Sequence, residues 1–178
     1  VDIQYSIEYI TRKSENGHIG SRVAAIAQAF GMKVWIATSK DASTLPKGME
    51  KKEVEELFAG ADIVSLHVPL TPDNHEMVSK RLLSIMKPTA ILINTARGGL
   101  VDETALSEAL KHQQIKAYAA DVLTHEPASK DCPLWNLPNV YLTPHIAWAS
   151  YEARKRLFQI CLDNVRGFLE GNPVHVVS

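Results

Sequence analysis

The apolar positions of this chain follow two alternating periods. Ala90-Ile91-Leu92-Ile93 is an unbroken apolar run of strand length, the pattern of a strand covered on both faces in a parallel sheet. Residues 33–37, 61–66, 115–120 and 140–142 read as further strands, and Ile3, Tyr5, Ile7 and Tyr9 alternate with polar residues as in a half-buried one. Between these runs the spacing becomes helical. Val23, Ala24, Ala27 and Phe30 form one face before a stop at Gly31, and Val54, Leu57 and Phe58 form the buried side of a short charged helix over 50–58. A helix follows over 79–86. Asp102 caps another, with Ala105, Leu106, Ala109 and Leu110 on its apolar side. A long helix over 150–170 carries Ala153, Leu157, Ile160, Cys161, Val165 and Phe168 near one face, and Gly171-Asn172-Pro173 ends it. Strands alternating with helices predict right-handed crossovers and an α/β fold built on a doubly wound parallel sheet.

Composition narrows the function classes. The 178 residues, 46% hydrophobic, suffice for a full core as one domain. A net charge of -1 favours neither nucleic acid nor an anionic membrane as partner. No apolar run approaches a membrane span and no secretory signal opens the chain. Cys132 and Cys161 lack metal-ligand spacing, so no metal site is expected, and the natural setting is a reduced cytoplasm.

The chemistry gathers at strand ends. In open parallel sheets ligands bind outside the carboxyl ends of the strands. After the run at 90–93 comes Asn94-Thr95-Ala96-Arg97-Gly98-Gly99. Arg97 offers a planar fork matched to a carboxylate, beside glycines that admit a ligand to the backbone; the alternative is a solvated surface arginine in a Gly-rich turn. Glu126 and His145 follow the next two strands by a few residues, so the three side chains converge on one sheet edge. That set suits reduction of a 2-keto acid by hydride from a nicotinamide. Arg97 would hold the carboxylate and polarise the keto oxygen, and His145 would protonate that oxygen as general acid. Glu126 would accept from the other imidazole nitrogen, fixing the tautomer and raising the His pKa. Asp121 would accept from the nicotinamide carboxamide. Taken singly, each residue also has a plain structural reading: a histidine after a Pro turn, a surface carboxylate, a strand-end cap. His75, His112 and His125 read as surface residues, and His18 and His67 as lining of a cofactor cleft.

Gly17-His18-Ile19-Gly20 opens the first helix with the second and third glycines of a Rossmann-type dinucleotide fingerprint. Glu15 stands where the first glycine belongs, the preceding apolar strand is missing, and an ordinary helix start explains the half-motif nearly as well. The strand at 33–37 ends in Thr38-Ser39-Lys40, which lacks a carboxylate for the adenosine ribose and leans toward NADP over NAD; a plain polar loop is the alternative.

Three ordered motifs together resemble the D-isomer-specific 2-hydroxyacid dehydrogenases: 94–99, Asp121-Val122-Leu123-Thr124-His125-Glu126-Pro127, and Thr143-Pro144-His145-Ile146-Ala147. The stretches 17–20 and His67-Val68-Pro69-Leu70-Thr71 share the likeness, and His145 through Arg154 is most similar to glycerate dehydrogenases (hydroxypyruvate reductases). The resemblance implies the Arg97-Glu126-His145 roles, D-specificity, an NAD or NADP cofactor, and a homodimer built largely through this domain. It also implies a cofactor surface of Gly17, His18, Ile19, Gly20, Thr38, Ser39, Lys40, His67, Val68, Pro69, Thr95, Ala96, Arg97, Asp121, His145 and Ala147. Residues 1–16 form an atypical N-terminal segment, 17–171 the dinucleotide-binding domain and 172–178 a tail. The family's substrate domain is largely absent, so the chain alone is expected to be a poor enzyme. The abrupt onset of similarity at Gly17 reads as a truncation, a misread segment or a frameshift upstream. Two other functions compete: a non-catalytic NAD(H)-responsive module of the co-repressor type, and a folded remnant without activity.

Overall fold

A computed structural model describes residues 4–8 and 18–176. The chain divides into two compact units, Val1–Pro144 and His145–Ser178.

The first unit is built on one seven-stranded sheet. Its strands are β1 (Gln4–Glu8), β2 (Lys33–Ala37), β3 (Met49–Lys51), β4 (Ile63–Leu66), β5 (Ile91–Asn94), β6 (Ala117–Ala120) and β7 (Val140–Leu142). They lie in the order β3-β2-β1-β4-β5-β6-β7, and every pairing is parallel. The chain runs outward from β1 in one direction and then, from β4, in the other. That reversal puts the ligand crevice of a doubly wound sheet at the carboxyl ends of β1 and β4.

Pairing corrects the sequence reading at both ends of this half-sheet. The strand that the apolar pattern lacks before the glycine turn is β1, at the place where the alternation of Tyr5 and Ile7 predicts a strand. Its backbone pairs with β2 on one side and β4 on the other, from Gln4↔Lys33 and Tyr5↔Ile63 onward. Central strands normally read as continuous apolar runs, and a strand with Gln4, Ser6 and Glu8 in sequence lacks that signature. At the other edge, the helix expected over 50–58 is divided. Residues Met49–Lys51 extend the sheet beside β2, and the helix α2 is confined to Val54–Gly60.

Helix α1 (His18–Ala29) packs Ala24 and Ala27 on Val34 and Ile36 of β2, forming one core cluster. Phe30, expected on that buried face, lies past the last turn and is 78% exposed. Alternation along β2 sends Trp35 and Ala37 to the opposite face, where a larger core gathers Leu57, Phe58, Val64, Leu66, Leu92, Leu106 and Tyr118. Helices α2, α3 (Lys80–Ile85) and α4 (Glu103–Lys111) pack in succession, α2 on α3 and α3 on α4. Asp102 caps α4 as expected, its carboxylate accepting from the Ala105 N–H at 2.9 Å.

The second unit is dominated by α5 (Tyr151–Leu169), capped by Ser150, whose hydroxyl accepts from the Ala153 N–H at 3.2 Å. No helix among the described residues is long and apolar enough to cross a membrane.

Candidate active site

Strand β5 ends in Asn94, whose side chain is fully buried. Its amide nitrogen donates to the Arg97 carbonyl at 2.9 Å, and its Oδ1 accepts from the Ala96 N–H at 3.0 Å. Tyr118 is buried on β6, and burial pushes its phenol well above its ordinary pKa, so it stays neutral. An amide at the strand end thus ties the next three residues into a tight loop. The loop exposes Arg97, one of whose guanidinium nitrogens donates to the Ala96 carbonyl at 2.7 Å.

Gly98 then touches the loop that follows β6. A Cβ on Gly98 would stand 1.9 Å from the Leu123 carbonyl carbon and 2.2 Å from the Thr124 nitrogen, so the two backbones meet with no room for a side chain. In this second loop Asp121 is buried, its N–H donates to the Asn94 carbonyl at 3.0 Å, and the Thr143 hydroxyl donates to its carboxylate. Glu126 is exposed and accepts from the Leu123 N–H at 2.8 Å, which aims its carboxylate back over its own loop. The next N–H, that of Thr124, donates to Glu103 on the first turn of α4 at 2.7 Å. The loops bearing Arg97 and Glu126 are therefore interlocked within the first unit, through Gly98 and through Glu103 five residues later. The sequence reading reached Arg97, Glu126 and Asp121 but missed Asn94, Gly98 as a spacer, and Glu103. Asn94 had a local signal, a short polar side chain closing an apolar strand. The contacts of Gly98 and Glu103 span more than twenty residues and had none.

His145 opens the second unit, immediately after the Thr143-Pro144 turn. It is exposed, and its φ of 53° lies in the left-handed region. A non-glycine residue held there costs about 1–2 kcal/mol, and such strain concentrates at functional sites. Its carbonyl accepts from the Trp148 indole N–H at 2.8 Å. Ala147, in the same unit, is exposed.

The remaining candidates line the carboxyl edge unevenly. Gly17 lies outside the described residues. His18 begins α1, Ile19 is exposed on it, and Gly20 is buried. Thr38 is buried and its hydroxyl accepts from the Lys40 N–H at 3.2 Å, while Ser39 is exposed and Lys40 half-buried. Val68 is buried, Pro69 and Thr95 are exposed, and Ala96 is half-buried. A hollow of about 620 Å³ is lined by Thr95, Asp121 and Thr143 together with Ile93, Ala119 and Tyr141. No cluster of three or more His, Cys, Asp or Glu side chains able to hold a metal occurs among the described residues.

His67 follows β4 at the switch point of the sheet. Its Nε2 lies 2.9 Å from the hydroxyl of buried Ser65, and burial pushes its pKa down to about 4. Above pH 6.5 the imidazole is neutral in both the folded and the unfolded chain, so its contribution to stability is fully present. Between pH 6.5 and about 4 the unfolded chain takes up a proton that the folded chain refuses, and stability falls as pH falls. Allowing for partial exposure, the slope is up to about 1 kcal/mol per pH unit. Urea unfolding of the wild type and of His67→Gln at pH 7.5, 6 and 5 measures it. The wild type should lose stability relative to His67→Gln as pH falls, and parallel curves would refute the burial argument.

The comparisons with known proteins identify the family and the fold. The family model described as "D-isomer specific 2-hydroxyacid dehydrogenase, NAD binding domain" matches residues 16–147. A glycerate dehydrogenase of Methylorubrum extorquens is 43% identical over 164 residues, covering 91% of this chain and 50% of that protein. A hydroxypyruvate reductase of Blautia hydrogenotrophica is 39% identical over 163 residues, covering 91% and 51%. Among solved structures, an acyclic imino acid reductase in complex with NADPH and D-Arg is similar at a TM-score of 0.84 and 39% identity, over 99% of this chain and 54% of that one. The chain spans about half the length of the curated relatives it matches.

Proposed function

The chain belongs to the D-isomer specific 2-hydroxyacid dehydrogenases, in their NAD-binding domain, and from that premise we propose that residues 17–171 are the dinucleotide-binding half of an oxidoreductase. Its substrate is a small 2-keto or 2-hydroxy acid of the hydroxypyruvate/glycerate type. The bound nicotinamide supplies or receives the hydride. Residues 1–16 precede this domain and 172–178 follow it as a tail.

The observation that carries the reading is the interlock of the Arg97 and Glu126 loops, which holds a cation and an anion at neighbouring strand ends in one rigid arrangement. In the proposed reaction the Arg97 guanidinium grips the substrate carboxylate and polarises the keto oxygen. His145 gives that oxygen its proton, or removes it from the hydroxyl in the reverse direction. Glu126 accepts from the other imidazole nitrogen and keeps the protonated form available near neutral pH. The donor set also fits the cofactor. The buried Asp121 carboxylate, beside a hollow of about 620 Å³, is an acceptor for a carboxamide. Glycines at 17 and 20, His18, Ile19, Thr38, Ser39, Lys40, His67, Val68, Pro69, Thr95, Ala96 and Ala147 complete the proposed surface for NAD or NADP.

The proposed assembly is a homodimer in the cytoplasm. Ile19 and Ile26 stand exposed along one stripe of α1, with Phe30 exposed just past its end, and the two cysteines are free thiols. Because relatives are about twice as long, the chain by itself turns substrate over poorly. Binding is therefore the direct test. Titration with NADH and with NADPH, followed by nicotinamide fluorescence, should saturate for at least one of them. At a hundredfold excess over Kd the bound nucleotide adds about 2.7 kcal/mol to the unfolding free energy, which shows as a raised Tm. Absence of both signals would overturn the reading.

A further inference from the structure

We propose that Lys51, on the edge strand β3, is a specificity-determining residue that binds the 2′-phosphate of NADP(H) together with Lys40. The proposal rests on the dinucleotide reading above and deepens it. It starts from the pairing that the sequence pattern hid. Strand β3 runs parallel to β2 in the register Val34↔Met49, Trp35↔Glu50, Ile36↔Lys51, and the next N–H, of Lys52, donates to the Ile36 carbonyl at 3.0 Å. The carboxyl ends of the two strands therefore lie side by side, and Lys51 stands beside the Thr38-Ser39-Lys40 turn. Its ammonium donates to the Lys40 carbonyl at 2.8 Å. One of three N–H donors of a half-buried ammonium thus anchors it to that turn, which brings a second cation to the place where the ribose of the adenosine half is read.

The nearest carboxylate in sequence is engaged through one of its two oxygens. Asp41 caps the short 3₁₀ turn Ala42–Thr44, accepting from the Ser43 N–H at 2.8 Å and the Ser43 hydroxyl at 2.6 Å. Those bonds to Ser43, reinforced by the charge of Lys51, hold its carboxyl below the usual range, so it is ionised at neutral pH. Reading a ribose 2′-hydroxyl requires an acceptor at the strand end, and Asp41, three residues downstream of the buried Thr38, is committed through its Oδ1 to capping its own turn. Reading a 2′-phosphate requires cations, and among the described residues Lys40 and Lys51 stand at this turn with the single carboxylate of Asp41. The balance of charge at this turn favours the phosphate.

The test uses the chain as it is, with NADPH and NADH as probes and nicotinamide fluorescence as readout. Lys51→Met keeps the aliphatic stem and removes the charge. It should weaken NADPH binding by about tenfold or more, as expected for loss of a charge-assisted contact, and change NADH binding by less than about twofold. Lys51→Arg should restore most of the loss. The exposed Lys47, removed as Lys47→Met, controls for net charge alone and should leave the NADPH affinity within about twofold. Raising the salt concentration should erode the wild-type preference for NADPH. Equal losses for both nucleotides, or no loss for NADPH, would overturn the assignment of Lys51 while the dinucleotide reading stands. Failure of the unaltered chain to bind either nucleotide would overturn both.

Discussion

Gly98→Ala is expected to destabilise the chain by about 3 kcal/mol or more, equivalent to a fall in Tm of about 6–12 °C for a domain of this size. The reason is space, since the φ of Gly98 raises no special demand. Its missing Cβ would sit 1.9 Å from the Leu123 carbonyl carbon and 2.2 Å from both the Leu123 oxygen and the Thr124 nitrogen. Contacts below 3.0 Å are essentially never seen for a Cβ, so one of the two loops must retreat by about an ångström. Neither yields easily. The 123–124 peptide is held by Glu126 through the Leu123 N–H and by Glu103 through the Thr124 N–H. On its other side, Arg97 is held by Asn94. Overpacking against rigid backbone costs more than overpacking against a flexible side-chain end. A useful contrast is Gly31, at the end of α1, which has a φ of 79° and nothing within 4 Å of the place a methyl would occupy. Gly31→Ala meets only the left-handed backbone penalty of about 1–2 kcal/mol. Thermal unfolding followed by circular dichroism ranks the two. An equal or smaller loss for Gly98→Ala would show that the loops are not locked.

Asn94→Ala carries an expected loss of about 3–5 kcal/mol. It deletes a fully buried side chain that serves two partners, the Arg97 carbonyl and the Ala96 N–H. Each buried polar group left without a partner costs about 1–3 kcal/mol, far more than the net worth of a hydrogen bond whose two members both reach water. Asn94→Asp should be no better. It keeps an acceptor for the Ala96 N–H, but it sets an acceptor against the Arg97 carbonyl and buries a charge. Thr95→Ala, one residue along and exposed, should fall within about 0.5 kcal/mol of wild type. Denaturant unfolding gives the magnitudes, and amide exchange at Ala96 gives the location. Protection there should drop in Asn94→Ala even under conditions where the core strands stay protected. A loss near 1 kcal/mol would mean that the strand end is solvated in a way this geometry does not allow.

Both substitutions act beneath Arg97 without touching its guanidinium. The anion grip proposed for that side chain depends on a loop clamped from the strand side by Asn94 and from the flank by the 121–126 loop. Reading Arg97 as a binding residue from sequence was a matter of residue type and position after a strand. What makes the position rigid is a set of partners drawn from β6, α4 and a loop some twenty-five residues away.

Local pattern determined much of this protein. An unbroken apolar run located β5, apolar-rich stretches located β4 and β6, the helical spacing and the Asp102 cap located α4, and strand–helix alternation required parallel pairing with the chemistry on one edge. These are short-range properties, because the period of apolar residues records only which face of an element is covered. Tertiary structure decided the rest, where the governing term is the partner. Gln4–Glu8 is a central strand because β2 and β4 satisfy its backbone on both sides, although its polar residues hide the usual signature of burial. Met49–Lys51 is a strand because a sheet edge beside β2 offers a ladder of hydrogen bonds that helix propensity over so few residues cannot outweigh. Lys51 meets Lys40, and Gly98 meets Leu123, only after those pairings form. A contact between residues far apart in the chain leaves no trace in the spacing of either one.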